Sequence, residues 1–385
     1  YFAFYPVARA RYVSTDNPAL DVGYLAVPHE AKICVEFDDQ NGNLHGREAV
    51  ETYLENFIYH PYDLSRDELV KFKIVKAAEN HYVVSASAHH AIFDGIALTT
   101  MWQQLANCYN AILARQSFSF ADDIYLEHVA EDRETKDTAA VLDFWKRTLA
   151  SVEPLDFTVP PPVPAASKAR LLEHFVSDEH WVQIRSYCRK QKITPAIYFK
   201  GLYALMINVY CRPDSDFSLQ ETMSGRTQSH AMQPGCYIQE VPFVVPKSIL
   251  EAGRLLDGLW EHSREYQKNI KDQRLISLGA QARLSPRGRI GFMYNFYQFV
   301  PQTLELAGDV IEDPEGTPSD PASNVQFVVS FVGGKLRLSL FYHPHLFDDR
   351  DMLARIESVS RQIIDQGVEC IGDLRWVTQQ DETQL

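Results

Sequence analysis

A proline-rich segment near the middle of the chain limits the fold more than any other sequence feature. Four prolines occur within the six residues VPPPVP at positions 159–164. Proline lacks the amide hydrogen that helices and central strands use, so this segment is neither. The chain has 385 residues, more than a single hydrophobic core usually supports. We therefore predict two lobes, residues 1–155 and 156–385, that meet at this segment.

Strand-like and helix-like patterns alternate before the proline-rich segment. Two β-rich runs at 70–77 and 81–88 predict a hairpin, and apolar residues at steps of three and four predict a helix over 96–113. The apolar stripe of that helix is Leu98, Trp102, Leu105, Tyr109 and Ile112. The opening YFAFYPVARARYV indicates a strand, and residues 139–150 indicate a second helix.

The same alternation continues after the proline-rich segment. Ser177 with Asp178, and Thr194 with Pro195, are predicted helix starts. Further predicted elements are strands over 216–223, 237–245 and 289–300, a long helix over 248–270, a hairpin turning at Gly333 and Gly334, and a last helix capped by Asp348 or Asp349 and ended by Gly367. The prediction is an α/β fold of the α+β sandwich kind, with two mixed lobes.

Charge, cysteine content and apolar runs limit the classes of partner and site. Lys plus Arg is 37 against 51 Asp plus Glu, a net charge of −14, so a polyanion such as nucleic acid is repelled on average. The six cysteines form no CxxC pair, which favours reduced thiols in a cytoplasmic protein and neither a disulfide framework nor a zinc site. No apolar run is long enough for a membrane span. The absence of an initiator Met predicts a fragment or a missing start.

The stretch HHAIFDG, His89 to Gly95, is the strongest candidate for chemistry. It joins the predicted strand over 81–88 to the helix over 96–113. Neighbouring residues of an extended chain point to opposite sides, so only one of the two histidines is expected to be the reagent. An imidazole can accept and return a proton near neutral pH. The spacing alone leaves a catalytic and a structural role open and disfavours a metal, since no HExxH motif or cysteine cluster accompanies it.

Asp94 is expected to be structural. A carboxylate where a loop enters a helix commonly caps that helix or pairs with an arginine from elsewhere in the fold.

HHAIFDG also resembles the HHxxxDG signature of condensation domains of nonribosomal peptide synthetases, in the chloramphenicol-acetyltransferase-like superfamily. FYPVARARY is similar to a divergent form of the RHExLRTxF motif, with Arg9 at the position of its second arginine. MSGRTQSHAMQPGCYIQEVPFVVP resembles the GR…G.FVNT.P region and keeps Gly225, Arg226 and Gly235. GFMYNFYQF and HPHLFDDRDMLARI are similar to the FNY strand and to the entry to the final helix.

The resemblance implies two acetyltransferase-like lobes in a V-shaped pseudo-dimer with a central tunnel. Donor and acceptor carrier proteins and neighbouring synthetase domains would be the partners of a monomeric enzyme. Substrates would arrive on 4′-phosphopantetheine arms or CoA, without a bound cofactor or metal. The implied roles are His90 as the reactive group, His89, Asp94 and Gly95 as supporting residues, and Arg226 or alternatively Arg9 as partner of Asp94. For acyl transfer, backbone amides near Gly95 and the side chain of Asn295 are candidate oxyanion or substrate contacts. The alternative for Asn295 is an ordinary residue at the end of a strand.

Three alternatives to a condensation domain follow from the same residues. An epimerization domain would need a glutamate where Thr222 stands, and Glu221 is one residue off, which turns its side chain to the other face of a strand. A free-standing alcohol or amine acyltransferase would keep the histidine loop. A recruitment domain without activity would more often have lost His90 or Gly95.

Overall fold

The structure, a computed structural model, describes residues 1, 3–13, 24–30, 35–40, 42–155, 169–251, 253–272, 276–284, 291–297, 304–311, 325–344, 346 and 350–377. The proline-rich segment at 159–164 and the candidate caps Asp348 and Asp349 lie outside these residues.

The described residues form a mixed set of helices and strands, so the α/β prediction is confirmed. The helices are α1 (Gly46–Ile58), α2 (Gly95–Leu113), α3 (Tyr125–Thr135), α4 (Ala139–Thr148), α5 (Asp178–Gln191), α6 (Pro195–Cys211), α7 (Lys247–Glu251), α8 (Glu261–Asp272), α9 (Leu278–Leu284) and α10 (Met352–Ile364). The strands are β1 (Arg11–Val13), β2 (Tyr24–Ala26), β3 (Val35–Asp39), β4 (Val70–Ala78), β5 (His81–Ala88), β6 (Arg170–Phe175), β7 (Phe217–Ser224), β8 (Ile238–Val245), β9 (Phe292–Phe296), β10 (Leu304–Leu306), β11 (Asp309–Ile311), β12 (Val325–Val332) and β13 (Lys335–Tyr342).

The chain forms two compact units. The first comprises Tyr1–Glu134, Ser224–Ile238 and Pro301–Ser319, and the second comprises Thr135–Met223, Gln239–Val300 and Asp320–Leu385. The predicted lobes were two consecutive segments, 1–155 and 156–385. Each observed unit instead combines three separate segments of the chain. The difference has a physical cause at 224–238, because Arg226 of that segment pairs with Asp94 inside the first unit.

The first unit contains the predicted hairpin. β4 and β5 pair antiparallel, and β3 adds in parallel to the other edge of β4. α1 packs Val50 and Leu54 against Val75. Phe72 of β4 has the opposite side-chain parity and meets Trp102 of α2 edge-to-face, with ring centroids 6.0 Å apart. The two helices therefore lie on opposite faces of this sheet.

The face that α2 buries differs from the predicted apolar stripe. Its buried residues are Ala97, Thr100, Met101, Gln104 and Ala106. Leu98, Trp102 and Leu105 are only partly buried against the same core, while Tyr109 and Ile112 are 48% and 67% exposed. The helical period was predicted correctly, but the buried face is rotated by about one residue from the predicted stripe.

The N-terminal strand prediction was too long. Pro6–Arg9 forms a 3₁₀ turn with proline at its start, and only Arg11–Val13 is a strand. Proline has no amide hydrogen to give to a ladder but fits the first turn of a helix. Residues 3–9 therefore form mostly turns, and the rings of Tyr1 and Phe4 pack on the ring of Tyr5.

The second unit is built on a six-stranded sheet in the order β6-β13-β12-β9-β7-β8. The predicted hairpin of β12 and β13 is confirmed, and its turn residues Gly333 and Gly334 have φ of 54° and 77°. α6 lies in the core of this unit with twelve buried residues. Any Cβ at Gly201 of α6 would overlap the ring of Trp260, so glycine permits that contact.

The predicted helix starts in this unit are formed. The hydroxyl of Ser177 accepts a hydrogen bond from His180 N and begins α5. The hydroxyl of Thr194 likewise accepts a hydrogen bond from Ile197 N and begins α6, with Pro195 in the first turn. Both caps satisfy amides that have no partner inside the helix.

The predicted long helix over 248–270 is instead interrupted. It consists of α7, a π-helical turn at Leu255–Trp260 and α8. Gly253 separates α7 from the π-turn with φ of 76°, a conformation that ends a right-handed helix. The apolar pattern predicted the helical segments but gave no sign of this glycine break.

In the parts of the chain that the structure describes, no helix combines the length and the apolar character needed to cross a membrane.

Candidate active site

The histidine loop joins β5 to α2 and is anchored by its own apolar residues. His89 N donates to Leu69 O at 2.9 Å, and Ile92 N donates to His89 O at 3.1 Å. Ile92 and Phe93 are buried in the core of the first unit. The loop between them and β5 is thus fixed at both ends, as expected for a loop that must hold a reagent in place.

His89 and His90 have different surroundings. His89 is partly buried, and its Nδ1 accepts a hydrogen bond from Ala91 N at 3.1 Å. Its ring lies edge-to-face on Tyr62, with centroids 5.8 Å apart. Burial, and secondarily the neighbouring His90, lower the pKa of His89. The His89 ring is therefore neutral with its hydrogen on Nε2, which suits a supporting role.

His90 is exposed at the turn of the loop. An exposed imidazole next to a fixed backbone can reach a reacting group and exchange a proton with solvent or substrate. This placement meets the requirement that the proposed reagent be accessible.

Asp94 is 2% exposed and both of its carboxylate oxygens accept hydrogen bonds. Oδ1 caps α2 by accepting from Ala97 N at 2.7 Å and also accepts from Arg226 Nη2 at 2.7 Å. Oδ2 accepts from Tyr237 N at 2.9 Å. Capping and arginine pairing, which the sequence offered as alternatives for Asp94, occur together.

Arg226 is the arginine that pairs with Asp94, and its side chain is 5% exposed. Nη1 donates to the carbonyl oxygens of His230 and Gln233 at 2.8 and 2.7 Å, and Nη2 also donates to Gly235 O at 3.1 Å. The guanidinium lies 4.2 Å from the centre of the Tyr237 ring. The alternative, Arg9, donates Nη1 to Ala3 O instead.

Gly95 lies at the start of α2, whereas Asn295 lies on a strand of the second unit. Gly95 is the first residue of α2 and has no left-handed φ. The positive-φ glycine beside Asp94 is Gly235, with φ of 135°. Asn295 lies in the second unit on β9, opposite Val328 of β12, and is 6% exposed. Its oxyanion role stays a prediction.

The sequence did not reveal the part that Tyr237 and Tyr125 play beside Asp94. Tyr237 supplies a backbone donor to a residue 143 positions away. Tyr125 is buried and donates its hydroxyl to Cys236 O at 3.2 Å. The aromatic Tyr237 two positions after the retained Gly235 was an available signal for the part of Tyr237, whereas no local pattern marks Tyr125.

Glu221, the displaced candidate for an epimerization glutamate, is enclosed in the second unit. Its Oε2 accepts from Lys200 Nζ at 2.7 Å, and its Oε1 accepts from Gln267 Nε2 at 3.2 Å. Lys200 is fully buried, and its ammonium lies 4.1 Å from the centre of the Phe243 ring. Thr222, the next residue of β7, points to the opposite face. Glu221 is therefore a structural ion-pair partner.

Within the described residues, no group of three or more His, Cys, Asp or Glu side chains is arranged to hold a metal ion. What the loop itself offers is an accessible imidazole, a neutral neighbouring imidazole and a helix N-terminus fixed by a buried ion pair. Such a set can move a proton and orient a reacting group.

The chain is similar in sequence and fold to members of one protein family. The family model described as Condensation domain matches residues 26–385. Nonribosomal peptide synthetase 6 of Alternaria brassicicola is 28% identical over 195 residues, 49% of this chain but 12% of that protein. The chain thus spans a small part of that curated relative.

Solved structures show the same fold at low sequence identity. A holo four-domain nonribosomal peptide synthetase bound to AMP and glycine has a TM-score of 0.78 at 15% identity, over 99% of this chain and 30% of that one. A mutant starter condensation domain of rhizomide synthetase in complex with C8-CoA has a TM-score of 0.72 at 16% identity, over 96% and 85% of the two chains. With the family match over most of its length, this chain belongs to the condensation-domain family of nonribosomal peptide synthetases.

Proposed function

We propose that this domain joins an acyl or peptidyl thioester, carried on the 4′-phosphopantetheine arm of a carrier protein, to an amine or hydroxyl acceptor. The product is an amide or an ester of a nonribosomal peptide or a hybrid polyketide. The observation that carries the proposal is the exposed His90 on a loop whose far end is fixed by the buried pair of Asp94 and Arg226.

The proposed reaction needs one proton to be moved. The acceptor nitrogen or oxygen attacks the thioester carbonyl, a C–N or C–O bond forms, and the electron pair of the C–S bond leaves with the phosphopantetheine sulfur. His90 takes the proton that the acceptor loses, or stabilises the charged tetrahedral species, and the proton finally goes to the thiolate. Because a thioester is already electrophilic, holding the reactants in line supplies much of the acceleration.

The partners in this proposal are a donor and an acceptor carrier protein, together with neighbouring domains of a longer synthetase. The matched relative is several times longer than this chain, since the match covers 12% of it. The CoA complex of a protein with the same fold supports including acyl-CoA among the donors to be tested.

The surroundings of Glu221 favour condensation over epimerization. An epimerase needs a second acid or base that can reach the substrate. Glu221 is 6% exposed and bonded to the fully buried Lys200, and a carboxylate so paired stays where it is because separating the two charges would leave each buried and unpaired.

The direct test of the proposal is His90→Ala. We expect this variant to fold and to lose transfer by about a hundredfold or more, because general acid–base groups contribute roughly that factor. Carrier proteins loaded with acyl groups are mixed with a panel of amines and alcohols, and products are followed by intact-protein mass spectrometry in single turnover.

The matched control is His81→Ala, which removes another exposed histidine from the same unit. It should transfer as the unaltered domain does. Full single-turnover activity of His90→Ala would remove His90 from the mechanism. If the unaltered domain transfers no acyl group from any carrier or CoA donor, the recruitment alternative is favoured instead.

A further inference from the structure

The backbone at 235–237 holds the end of the histidine loop in addition to the ion pair of Asp94 and Arg226. Tyr237 N donates to Asp94 Oδ2 at 2.9 Å, and Asp94 N donates to Gly235 O at 3.3 Å. Both links join main chain of this segment to Asp94. The position of Asp94 therefore depends on where the segment 235–237 lies.

Tyr125 fixes that segment from the first turn of α3. Its side chain is 3% exposed, and its hydroxyl donates to Cys236 O at 3.2 Å. Its ring packs edge-to-face on Tyr237, with centroids 5.1 Å apart. Burial raises the pKa of Tyr125 well above the usual value, so the phenol keeps its hydrogen and remains a donor.

Gly235 shows how closely the Tyr125 ring approaches. A Cβ at position 235 would overlap that ring, and φ of 135° is a conformation that residues with side chains rarely adopt. The ring thus lies directly against the backbone whose carbonyl accepts from Asp94 N and from Arg226 Nη2.

Gln233 holds the same two segments together a few residues away. Its amide Nε2 donates to Asp122 O at 2.7 Å, and its Oε1 accepts from Ile124 N at 3.4 Å. Gln233 is 5% exposed, so these bonds do not exchange readily with water. Residues 122–125 and 233–237 are therefore bonded at both ends.

We propose that Tyr125 is a positioning residue, which sets the place of His90 through the segment 235–237 and Asp94. It touches no reacting atom in this proposal. Asp94 directly follows Ile92 and Phe93, the core residues that anchor the loop, so a displaced segment 235–237 would shift this anchor through Asp94 and with it the His90 ring. The kinetic part of this inference rests on the proposed function, whereas the structural part does not.

The test compares Tyr125→Leu, which removes ring and hydroxyl, with Tyr125→Phe, which removes only the bond to Cys236 O. For Tyr125→Leu we expect kcat to fall by about a hundredfold with KM little changed, since a misplacement of about 1 Å costs that much. The His90 ring signals in NMR spectra of histidine-labelled protein should shift or broaden. Tyr125→Phe should show the same changes, but smaller, because the ring remains.

Tyr203→Phe is the matched control. It also removes a bond from a buried tyrosine hydroxyl to a backbone carbonyl, here Val325 O at 2.9 Å, and it lies in the second unit. It should leave kcat and the His90 signals unchanged.

The outcomes separate the two proposals. A folded Tyr125→Leu protein with unaltered His90 signals, or with an unaltered kcat, overturns the positioning role. If Tyr125→Leu does not fold, Tyr125→Phe decides the question by the same two readouts against Tyr203→Phe. Shifted His90 signals in a domain that transfers no acyl group would leave the positioning role standing and defeat the proposed function.

Discussion

At the scale of single residues, Asp94 shows how one carboxylate can satisfy three donors. It accepts from Ala97 N, Tyr237 N and Arg226 Nη2. We expect Asp94→Ala to lower the free energy of unfolding by about 3–5 kcal/mol, because it leaves the guanidinium of Arg226 buried without its counter-charge. Soluble yield and activity should fall together. Urea unfolding of the variant measures the loss.

Asp143→Ala provides the comparison for Asp94→Ala. The pair of Asp143 and Arg147 on α4 is mostly exposed, at 64% and 73%. Its loss should cost less than about 1 kcal/mol, since water screens both charges. Equal stability losses in the two variants, or lost activity at unchanged stability for Asp94→Ala, would contradict the structural role of Asp94.

At the scale of elements, the β12–β13 hairpin depends on the conformation of its turn. Gly334 has φ of 77° and open space around its Cβ position. We expect Gly334→Ala to destabilise the protein by about 1–2 kcal/mol from left-handed backbone strain alone. Gly372→Ala is the control, because Gly372 also has open space but no left-handed φ. Thermal unfolding that is equally affected by both changes would refute this account.

Elements also show where local patterns are insufficient. The apolar stripe of α2 predicted a helix of the right length. The residues buried by packing are instead on a neighbouring face that includes Ala97, Met101 and Gln104. The break at Gly253 depends on one backbone angle. Neither the contact face nor the break follows from periodicity, since both depend on what the helix packs against.

At the scale of the whole molecule, buried histidines make stability depend on pH. His180 is fully buried, and its ring nitrogens bond to Ser360 Oγ at 2.9 Å and Gln183 Oε1 at 3.1 Å. Burial lowers the pKa of His180 and of His262. As the pH falls, these histidines therefore bind protons in the unfolded chain before they do so in the folded protein. Stability is full above the unfolded pKa of about 6.5 and falls below it, by up to about 1.4 kcal/mol per pH unit for each histidine.

Urea unfolding between about pH 7.5 and pH 5.5 tests this dependence. His180→Gln should make the fall in stability shallower than in the unaltered protein, because one proton uptake is removed. Glu357 does not interfere in this window: burial raises its pKa, but hydrogen bonds from His174 and Arg361 hold it at about 2. Identical pH slopes for the two proteins would exclude His180 as a source of the dependence.

Features that depend on neighbouring residues could be predicted from the sequence. The β4–β5 hairpin, the caps at Ser177 and Thr194, and the glycine turn at 333 and 334 all follow from period or local hydrogen bonding. The loop HHAIFDG was also found this way, because it lies where a strand pattern changes to a helix pattern.

Which distant residues hold that loop depends on how the whole chain packs. Arg226 meets Asp94 across 132 positions and Tyr237 meets it across 143, while Tyr125 reaches Cys236 across 111. The sequence offered both Arg226 and Arg9 as partners, and nothing local marked Tyr125. The physical reason is that such pairs form where burial leaves a charge or a backbone group needing a partner, and burial is a property of the packed chain.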